Sequence, residues 1–335
     1  MDFDTNKVKL IAEIGGNHEG DFEYANHLTD LAIESGVDSI KFQIYSGKTL
    51  VNETIDKQRK EHFDKFSLTN EQYQQLAEKC IRSNVDFNAS IWNDAQIEIF
   101  DKYLTFYKVG SGDLTCFPIL EKLAKRGKPV IISSGLANLR EIRDAVDVLI
   151  NTNEKYKSKN MLCIMQCTSV YPCPDIELNL NVIETLKKEF DYIIGYSNHS
   201  PNLSSLEYAL VKGAKILEFH FTDKREGKTF RDHSVSFTKD EVKQLRRKIQ
   251  FISDSLGLSE KKPTFSEIST DHIKSFRKSI YPSRDLRENT VVEKDDFTFL
   301  RPEAGLKANQ LDLILGKKTK RNLSKLEKIS LEDFE

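Results

Sequence analysis

Residues able to do chemistry recur in this chain at the ends of short apolar runs. Glu13 closes VKLIAEIG and is followed by Asn17-His18, Lys41 and Gln43 sit in SIKFQIY, and Lys108, Ser111 and Asp113 follow closely in FYKVGSGD. Farther on come Ser133-Ser134-Gly135, Thr168-Ser169-Val170-Tyr171, Ser197-Asn198-His199, and Glu218 with His220 in ILEFHF. Two lysines and several serines facing one cavity suit a phosphorylated anion, because they supply charge together with neutral donors. Gly110-Ser111-Gly112 could add backbone N–H groups as an anion nest, although a lone GSG is more often an ordinary turn. His199 and His220 would end neighbouring strands about 4.8 Å apart, so both imidazoles could reach one metal ion. Two histidines completed by carboxylate or water suit a divalent ion such as Mn²⁺ better than a closed structural zinc site. The competing reading is a pair of hydrogen-bonded core histidines. His27, His62 and His272 fall on helical or loop stretches and read as surface residues. His18 and His233 neighbour the site in sequence without an assigned task, and Trp92 reads as core packing rather than cavity wall.

These residues need a scaffold that brings many strand ends together. Eight apolar, β-rich runs occur at 8–15, 38–45, 86–91, 106–111, 129–134, 161–169, 192–199 and 214–221. Their near-continuous hydrophobicity is what a parallel sheet covered on both faces requires. Between them lie segments of period near 3.6. In 69–82, Thr69 and Gln72 form a capping-box pattern, and Tyr73, Leu76, Ala77, Cys80 and Ile81 share one face. Ile142, Val146, Leu149 and Ile150 mark a second helix, and Val242, Leu245, Ile249, Ile252 and Leu256 a third. Eight strand–helix units in about 250 residues predict an α/β protein of the (β/α)8 TIM-barrel type, in which the chemistry sits at the C-terminal strand ends. A doubly wound open sheet would want a nucleotide-type glycine fingerprint, and GGNHEG at 15–20 is not one. Polar groups at six or more strand ends favour an enzyme, since each buried polar group is costly unless partnered.

Two stretches break the pattern. Residues 46–68 are long and charge-rich, which predicts a lid, a binding loop or a disordered connection. After Leu256 the chain reads as a linker over 257–275, then as a small β-rich domain over 276–335, with strand-like pieces at 279–282, 291–292 and 297–300. About 60 residues make a small core, so this tail is expected to dock on something. The expected domains are therefore a catalytic barrel at 1–256, the linker, and the tail.

The bulk composition excludes several classes. The 335 residues carry 50 Lys+Arg against 52 Asp+Glu, a net charge of −2, so no global basic field exists to hold a nucleic-acid backbone. No apolar run approaches the roughly 18 residues of a membrane helix, and MDFDTNKVKL has no signal-peptide core. Five cysteines at no metal-like spacing read as reduced thiols. Together these features predict a cytoplasmic protein with small-molecule partners and neither nucleic acid nor membrane among them.

Eight blocks, in order, resemble the sialic acid synthase family: IAEIGGNHEGD (11–21), IKFQIY (40–45), YKVGSGDLT (107–115), KPVIISSGLA (128–137), CTSVYPCP (167–174), IIGYSNHS (193–200), ILEFHFTD (216–223) and FLRPEAG (299–305). The resemblance implies condensation of phosphoenolpyruvate with N-acetylmannosamine or a related N-acylated amino sugar, with a divalent metal, Mn²⁺ first and Mg²⁺ or Co²⁺ as alternatives. Carried over block by block, Lys41, Lys108, Ser111, Ser133, Ser169 and Ser197 would hold phosphoenolpyruvate. His199 and His220 would bind the metal, acting on the sugar's aldehyde oxygen. Glu13, Tyr171 and Asp232 would contact the open-chain sugar, and Arg301 its acyl group. Glu13, Lys41, Lys108 and Asp113 form the catalytic set. The tail resembles an antifreeze-like (SAF) domain of β-clip type, which in the family caps the partner's barrel in a domain-swapped homodimer.

Several positions depart from the family pattern. Asp113 stands where a Glu is usual and Ser169 where Asn is frequent, Asn198 replaces Asp, Glu19 replaces a frequent Asn, and Ala89-Ser90-Ile91-Trp92 replaces Ser-Thr-Pro-Phe. These departures leave the acceptor open, with legionaminic and pseudaminic acid synthesis from diacetamido-trideoxyhexoses as alternatives. A catalytically dead sugar-binding homologue and an unrelated phosphosugar aldolase or isomerase are the competing classes. The first would have lost the histidines or lysines, and the second would survive a chelator.

Overall fold

The computed structural model describes Phe3 and residues 7–335; the other residues of the expected barrel domain, 1, 2 and 4–6, lie outside the described part. Eight parallel strands are observed, each within a predicted run: β1 (Lys9–Gly15), β2 (Ser39–Ile44), β3 (Asp86–Ile91), β4 (Tyr107–Val109), β5 (Val130–Ser133), β6 (Leu162–Cys167), β7 (Ile193–Asn198) and β8 (Ile216–His220). Their order is β3-β2-β1-β8-β7-β6-β5-β4, so the ring closes between β8 and β1. The last neighbours, β3 and β4, lie side by side without a hydrogen-bonded ladder. The fold is thus a near-closed TIM-type barrel.

Helices fill the connections: α1 (Phe22–Ser35), α2 (Gly47–Leu50), α3 (Lys57–Lys65), α4 (Asn70–Arg82), α5 (Asp94–Phe100), α6 (Phe117–Arg126), α7 (Leu139–Thr152), α8 (Val182–Glu189), α9 (Ser204–Lys212) and α10 (Lys239–Leu256). The capping box of α4 is present in both directions, with Gln72 N donating to Thr69 Oγ1 at 3.2 Å and Thr69 N to Gln72 Oε1 at 2.9 Å. Of its predicted apolar face, Tyr73, Leu76, Ala77 and Cys80 are buried, whereas Ile81 is 49% exposed near the helix end. Leu256, the last residue of the third predicted stripe, is likewise exposed.

Strand periodicity sorts the side chains into two cores. Outward residues such as Leu10, Ala12, Ile14, Leu217 and Phe219 pack under the helices. Inward residues are apolar at the N-terminal end and polar at the C-terminal end. Ile11 is followed on its face by Glu13, Ile131 by Ser133, Ile193 and Gly195 by Ser197, and Ile216 by Glu218 and His220. Inside the barrel, Phe3, Ile11, Phe106, Ile131, Cys163, Met165, Ile193 and Ile216 form a separate apolar plug. This plug is the floor on which the polar layer rests.

Residues 46–68 are mainly helical, which the sequence did not reveal. α3 buries none of its residues and so has no apolar stripe to read. Asp56 caps it, Asp64 Oδ1 accepts from Gly47 N at 2.7 Å, and His62 and Phe66 pack on Phe230 with ring centroids 6.0 and 4.8 Å away.

The chain divides into two compact units at Leu256/Gly257. The second begins with short helices α11 (Phe265–Ser269) and α12 (His272–Phe276) in the stretch expected as linker. It continues with an antiparallel pair, β9 (Ser279–Pro282) and β10 (Phe297–Leu300), and a bridge between Val291 and Lys318. Ile280, Leu286, Val292, Phe297, Leu306, Ile314, Leu323, Ile329 and Phe334 give this unit an apolar core of its own, more than its length had suggested.

Candidate active site

A cavity of about 700 Å³ opens at the C-terminal ends of the barrel strands. It is lined by Glu13, Lys41, Lys108, Ser111, Asp113, Ser133, Ser169, Tyr171, Ser197, His199 and His220, so eleven of the thirteen expected site residues converge there. Asp232 is buried just behind the wall, with Oδ2 3.8 Å from His220 Nδ1. Arg301 belongs to the second unit, where its Nε donates to Phe276 O at 2.7 Å.

Strand register explains the convergence. Glu13 on β1 is the Cα partner of both Lys41 on β2 and His220 on β8, and Ser197 on β7 is the partner of Cys167 on β6 and Glu218 on β8. The resulting charges alternate in a buried network. Lys41 Nζ is ion-paired with Glu13 Oε2 and lies 3.9 Å from Glu218 Oε2, and Lys108 Nζ is 3.2 Å from Glu218 Oε1 and donates to Ser133 Oγ at 2.8 Å. Ser197 Oγ donates to Glu218 Oε1 at 3.1 Å. Burial pushes the Glu13 carboxyl up to about 7 against the pull of Lys41, with Glu218 adding to the rise. Glu218 is buried as deeply, but Lys108 and Lys41 outweigh the desolvation and hold it down at about 2. The two carboxylates are thus shifted in opposite directions, the lysines favouring ionised Glu218 and burial favouring protonated Glu13.

Next to this network is a cradle of small donors. Gly135 N donates to Ser111 Oγ at 3.1 Å, and a Cβ placed on Gly135 would run into Ser169 Oγ and come within 2.7 Å of Ser111 Oγ. Gly110-Ser111-Gly112 leads into one turn of 3₁₀ helix over Ser111–Asp113 rather than a free loop. Burial raises the Asp113 carboxyl above the ordinary range, opposed by a hydrogen bond from Trp92 and by the charge of Lys108.

His199 and His220 stand side by side with ring centroids 5.4 Å apart. His199 Nδ1 donates to Thr168 O at 2.7 Å, which leaves the lone pair on Nε2 for a ligand. His220 Nδ1 is buried without a hydrogen-bond partner, and desolvation holds its ring down at about 4, so it is neutral at physiological pH. Glu13 Oε1 and Glu218 Oε2 are equally without hydrogen-bond partners. The two rings differ: burial would lower His199 as well, but the neighbouring Cys167 and the Thr168 carbonyl outweigh it and raise its pKa, so a divalent ion would meet a neutral His220 and displace a proton from His199. Among the described residues no group of three or more His, Cys, Asp or Glu is arranged to hold one, so the remaining positions would fall to water or substrate. Tyr171 lies against both rings, 3.9 Å from His199 and 5.6 Å from His220 between centroids.

Several lining residues were not assigned from the sequence. Glu218 shares an inward face with His220, two positions on, and that parity was the available signal. Trp92 lines the cavity and does not fill the core, which corrects the expectation for it. Cys167 lies 3.8 Å from His199 Nδ1. Leu50, Val51, Asn52, Ile55, Asp56, Arg59 and Phe63 form an outer wall from the 46–68 segment. Of the remaining histidines, His27, His62 and His272 are exposed as expected, whereas His18 and His233 are buried outside the cavity lining.

The model of the NeuB family matches residues 28–261, and that of the SAF domain matches 277–335. The chain belongs to the NeuB family. It is therefore an enzyme, a phosphoenolpyruvate-condensing nonulosonic acid synthase with a C-terminal SAF domain. The N,N'-diacetyllegionaminic acid synthase of Legionella pneumophila is 32% identical over 94% of this chain and 91% of its own. The human N-acetylneuraminate-9-phosphate synthase is 32% identical over 86% and 82%. The crystal structure of N-acetylneuraminic acid synthetase from Leptospira borgpetersenii, in complex with citrate, superposes with a TM-score of 0.74 at 29% identity, covering 81% of this chain and 92% of that one. Enzymes of the NeuB family generally use a divalent metal ion. Among the described residues no helix is long and apolar enough to cross a membrane.

Proposed function

We propose that this NeuB-family synthase joins phosphoenolpyruvate to the open-chain form of N-acetylmannosamine or a close relative, giving a nine-carbon 2-keto acid and inorganic phosphate. The observation that carries this reading is the buried pair Lys41 and Lys108 beside the adjacent imidazoles of His199 and His220 in one cavity. Such a site meets a trianionic substrate at one end and a carbonyl oxygen at the other.

The chain's own groups divide the work. Lys41, Lys108, Ser111, Ser133, Ser169 and Ser197 hold the phosphate and carboxylate of phosphoenolpyruvate and fix C3 toward the aldehyde. Glu13, Tyr171 and Asp232 orient the sugar. A divalent ion held by His199 and His220, Mn²⁺ first with Mg²⁺ or Co²⁺ as alternatives, would supply Lewis-acid polarisation of the aldehyde oxygen. As C3 bonds to the aldehyde carbon, that oxygen takes a proton to become a hydroxyl, and Glu13 is the acid placed there. Water adds at C2 and gives one proton to Asp113; the C2 hydroxyl then forms the C2=O bond as the C2–O bond to phosphate breaks, and its proton leaves with the inorganic phosphate. Family resemblance further supports assigning Arg301 to the sugar's acyl group in the partner subunit of a swapped dimer, so that Arg301→Ala raises the sugar KM.

A second acceptor, a diacetamido-trideoxyhexose, is favoured by the apolar part of the outer wall. Leu50, Val51, Ile55 and Phe63 would suit a methyl-terminated sugar better than a hydroxymethyl one. The deciding assay offers phosphoenolpyruvate, Mn²⁺ and a panel of both sugar classes. Sugar-dependent phosphate release identifies the acceptor, and no release with any sugar would refute the reading.

A further inference from the structure

The barrel mouth carries a hydrogen bond that no role above requires. Trp92 stands one residue beyond β3, and its indole N–H donates to Asp113 Oδ2 at 2.7 Å, the length of a charge-assisted bond. Among the described residues it is the one side chain that donates to this carboxylate. The two residues come from the ends of β3 and β4, the neighbouring strands that share no ladder, so their bond spans the seam of the barrel. Both partners are fixed from behind. The Trp92 ring packs edge-to-face on Tyr45 with centroids 5.8 Å apart. Asp113 is tied into its turn by its own N–H to Gly110 O at 3.0 Å and by Cys116 N to its carbonyl at 2.9 Å. With Oδ2 taken by the indole, Oδ1 is the oxygen left for substrate.

We infer that Trp92 is a positioning residue for the condensation, clasping the Asp113 carboxylate across the β3–β4 seam so that its free oxygen meets the water that adds to phosphoenolpyruvate. The inference rests on the reading of Asp113 as the group that accepts the water's proton. An aspartate reaches one methylene less far than a glutamate, and the indole compensates by holding it from the neighbouring strand end. The two side chains act as a matched pair.

Trp92→Phe keeps the ring and removes the donor. It should lower kcat by about 10- to 100-fold, the value of one hydrogen bond to a charged group, while KM for phosphoenolpyruvate stays within about twofold and the melting temperature holds. Trp92→Phe/Asp113→Glu should regain about tenfold over Trp92→Phe, because the longer acid needs no clasp. Trp92 is the chain's one tryptophan, so Asp113→Ala should change its fluorescence directly. Full kcat in Trp92→Phe alongside an inactive Asp113→Asn overturns the positioning role. A fully active Asp113→Asn instead overturns the base assignment on which it rests. An unchanged spectrum in Asp113→Ala overturns the clasp, and a double variant no better than Trp92→Phe overturns the matched pair.

Discussion

Glu13 and Lys41 are register partners on adjacent strands, and their side chains form a buried ion pair in which the acid is still pushed up to about 7. The stability consequence has a definite sign. Between the ordinary value of 4.5 and about 7, native Glu13 keeps a proton that the unfolded chain has lost, so its contribution makes stability fall as pH rises through that window. Glu13→Gln removes this contribution. Relative to the variant, the wild type should lose stability from pH 4.5 to pH 7, as read by urea denaturation. His220, held at about 4, acts in the opposite direction but is present in both proteins and cancels. A wild-type–variant difference that does not change with pH would refute the assignment.

Glu218 faces both lysines and offsets them while the cavity holds no anion. Glu218→Gln leaves the buried Lys108 without its carboxylate partner, while Lys41 keeps Glu13, which should cost on the order of 3–5 kcal/mol. If the lysines hold phosphoenolpyruvate as proposed, the substrate would replace that charge, so it should raise the melting temperature of Glu218→Gln more than that of the wild type. Equal ligand-induced shifts in calorimetry would count against Glu218 as counter-ion to the substrate-binding lysines.

For the metal, His199→Ala and His220→Ala should each abolish sugar-dependent phosphate release. Each should also weaken Mn²⁺ binding by about 10-fold or more in a titration followed by electron paramagnetic resonance. Because burial keeps His220 neutral down to about pH 4, its proton does not compete with the ion between pH 6 and 8. Thr168 offers only its carbonyl to His199, so Thr168→Val should leave Mn²⁺ affinity unchanged. An active His199/His220 double variant would refute the metal assignment.

The barrel and most of its cavity were legible because they obey local rules. A strand buried on both faces must be apolar, and the few polar residues it carries near its C-terminal end then have one place to point. Lys41, Lys108, Ser133, Ser197 and His220 could be read this way. What escaped reading depends on partners distant in sequence. Trp92 is one step past a strand end, where strand parity no longer predicts direction, and its hydrogen-bond partner is 21 residues away. α3 carries charge at six of its nine positions, so neither its helicity nor its cavity-lining Arg59 and Phe63 showed in a hydrophobic period. The polar end of the barrel was readable as a set, but not the pairing within it.

Gly135 sets the width of the anion cradle. Its φ is not in the left-handed region, so alanine can adopt its backbone without strain, and the effect of a substitution comes from the added carbon alone. That carbon would lie 2.7 Å from Ser111 Oγ and nearer still to Ser169 Oγ, well inside contact distance. The serines must move outward, and the cradle loses the spacing, held in part by the Gly135 N–H on Ser111 Oγ, with which the two hydroxyls would meet a phosphate under the proposed function. Gly135→Ala should therefore raise the KM for phosphoenolpyruvate by about 10-fold or more, the value of one or two hydrogen bonds to a charged ligand, with a smaller effect on kcat. Gly112→Ala is the matched control, because a Cβ there meets nothing within 4 Å although Gly112 itself lines the cavity beside Ser111. Steady-state kinetics on the two variants separate steric loss of the cradle from any general effect of adding a methyl group. Equal KM values for phosphoenolpyruvate in the two would show that the Ser111–Gly135–Ser169 cluster does not hold the phosphate.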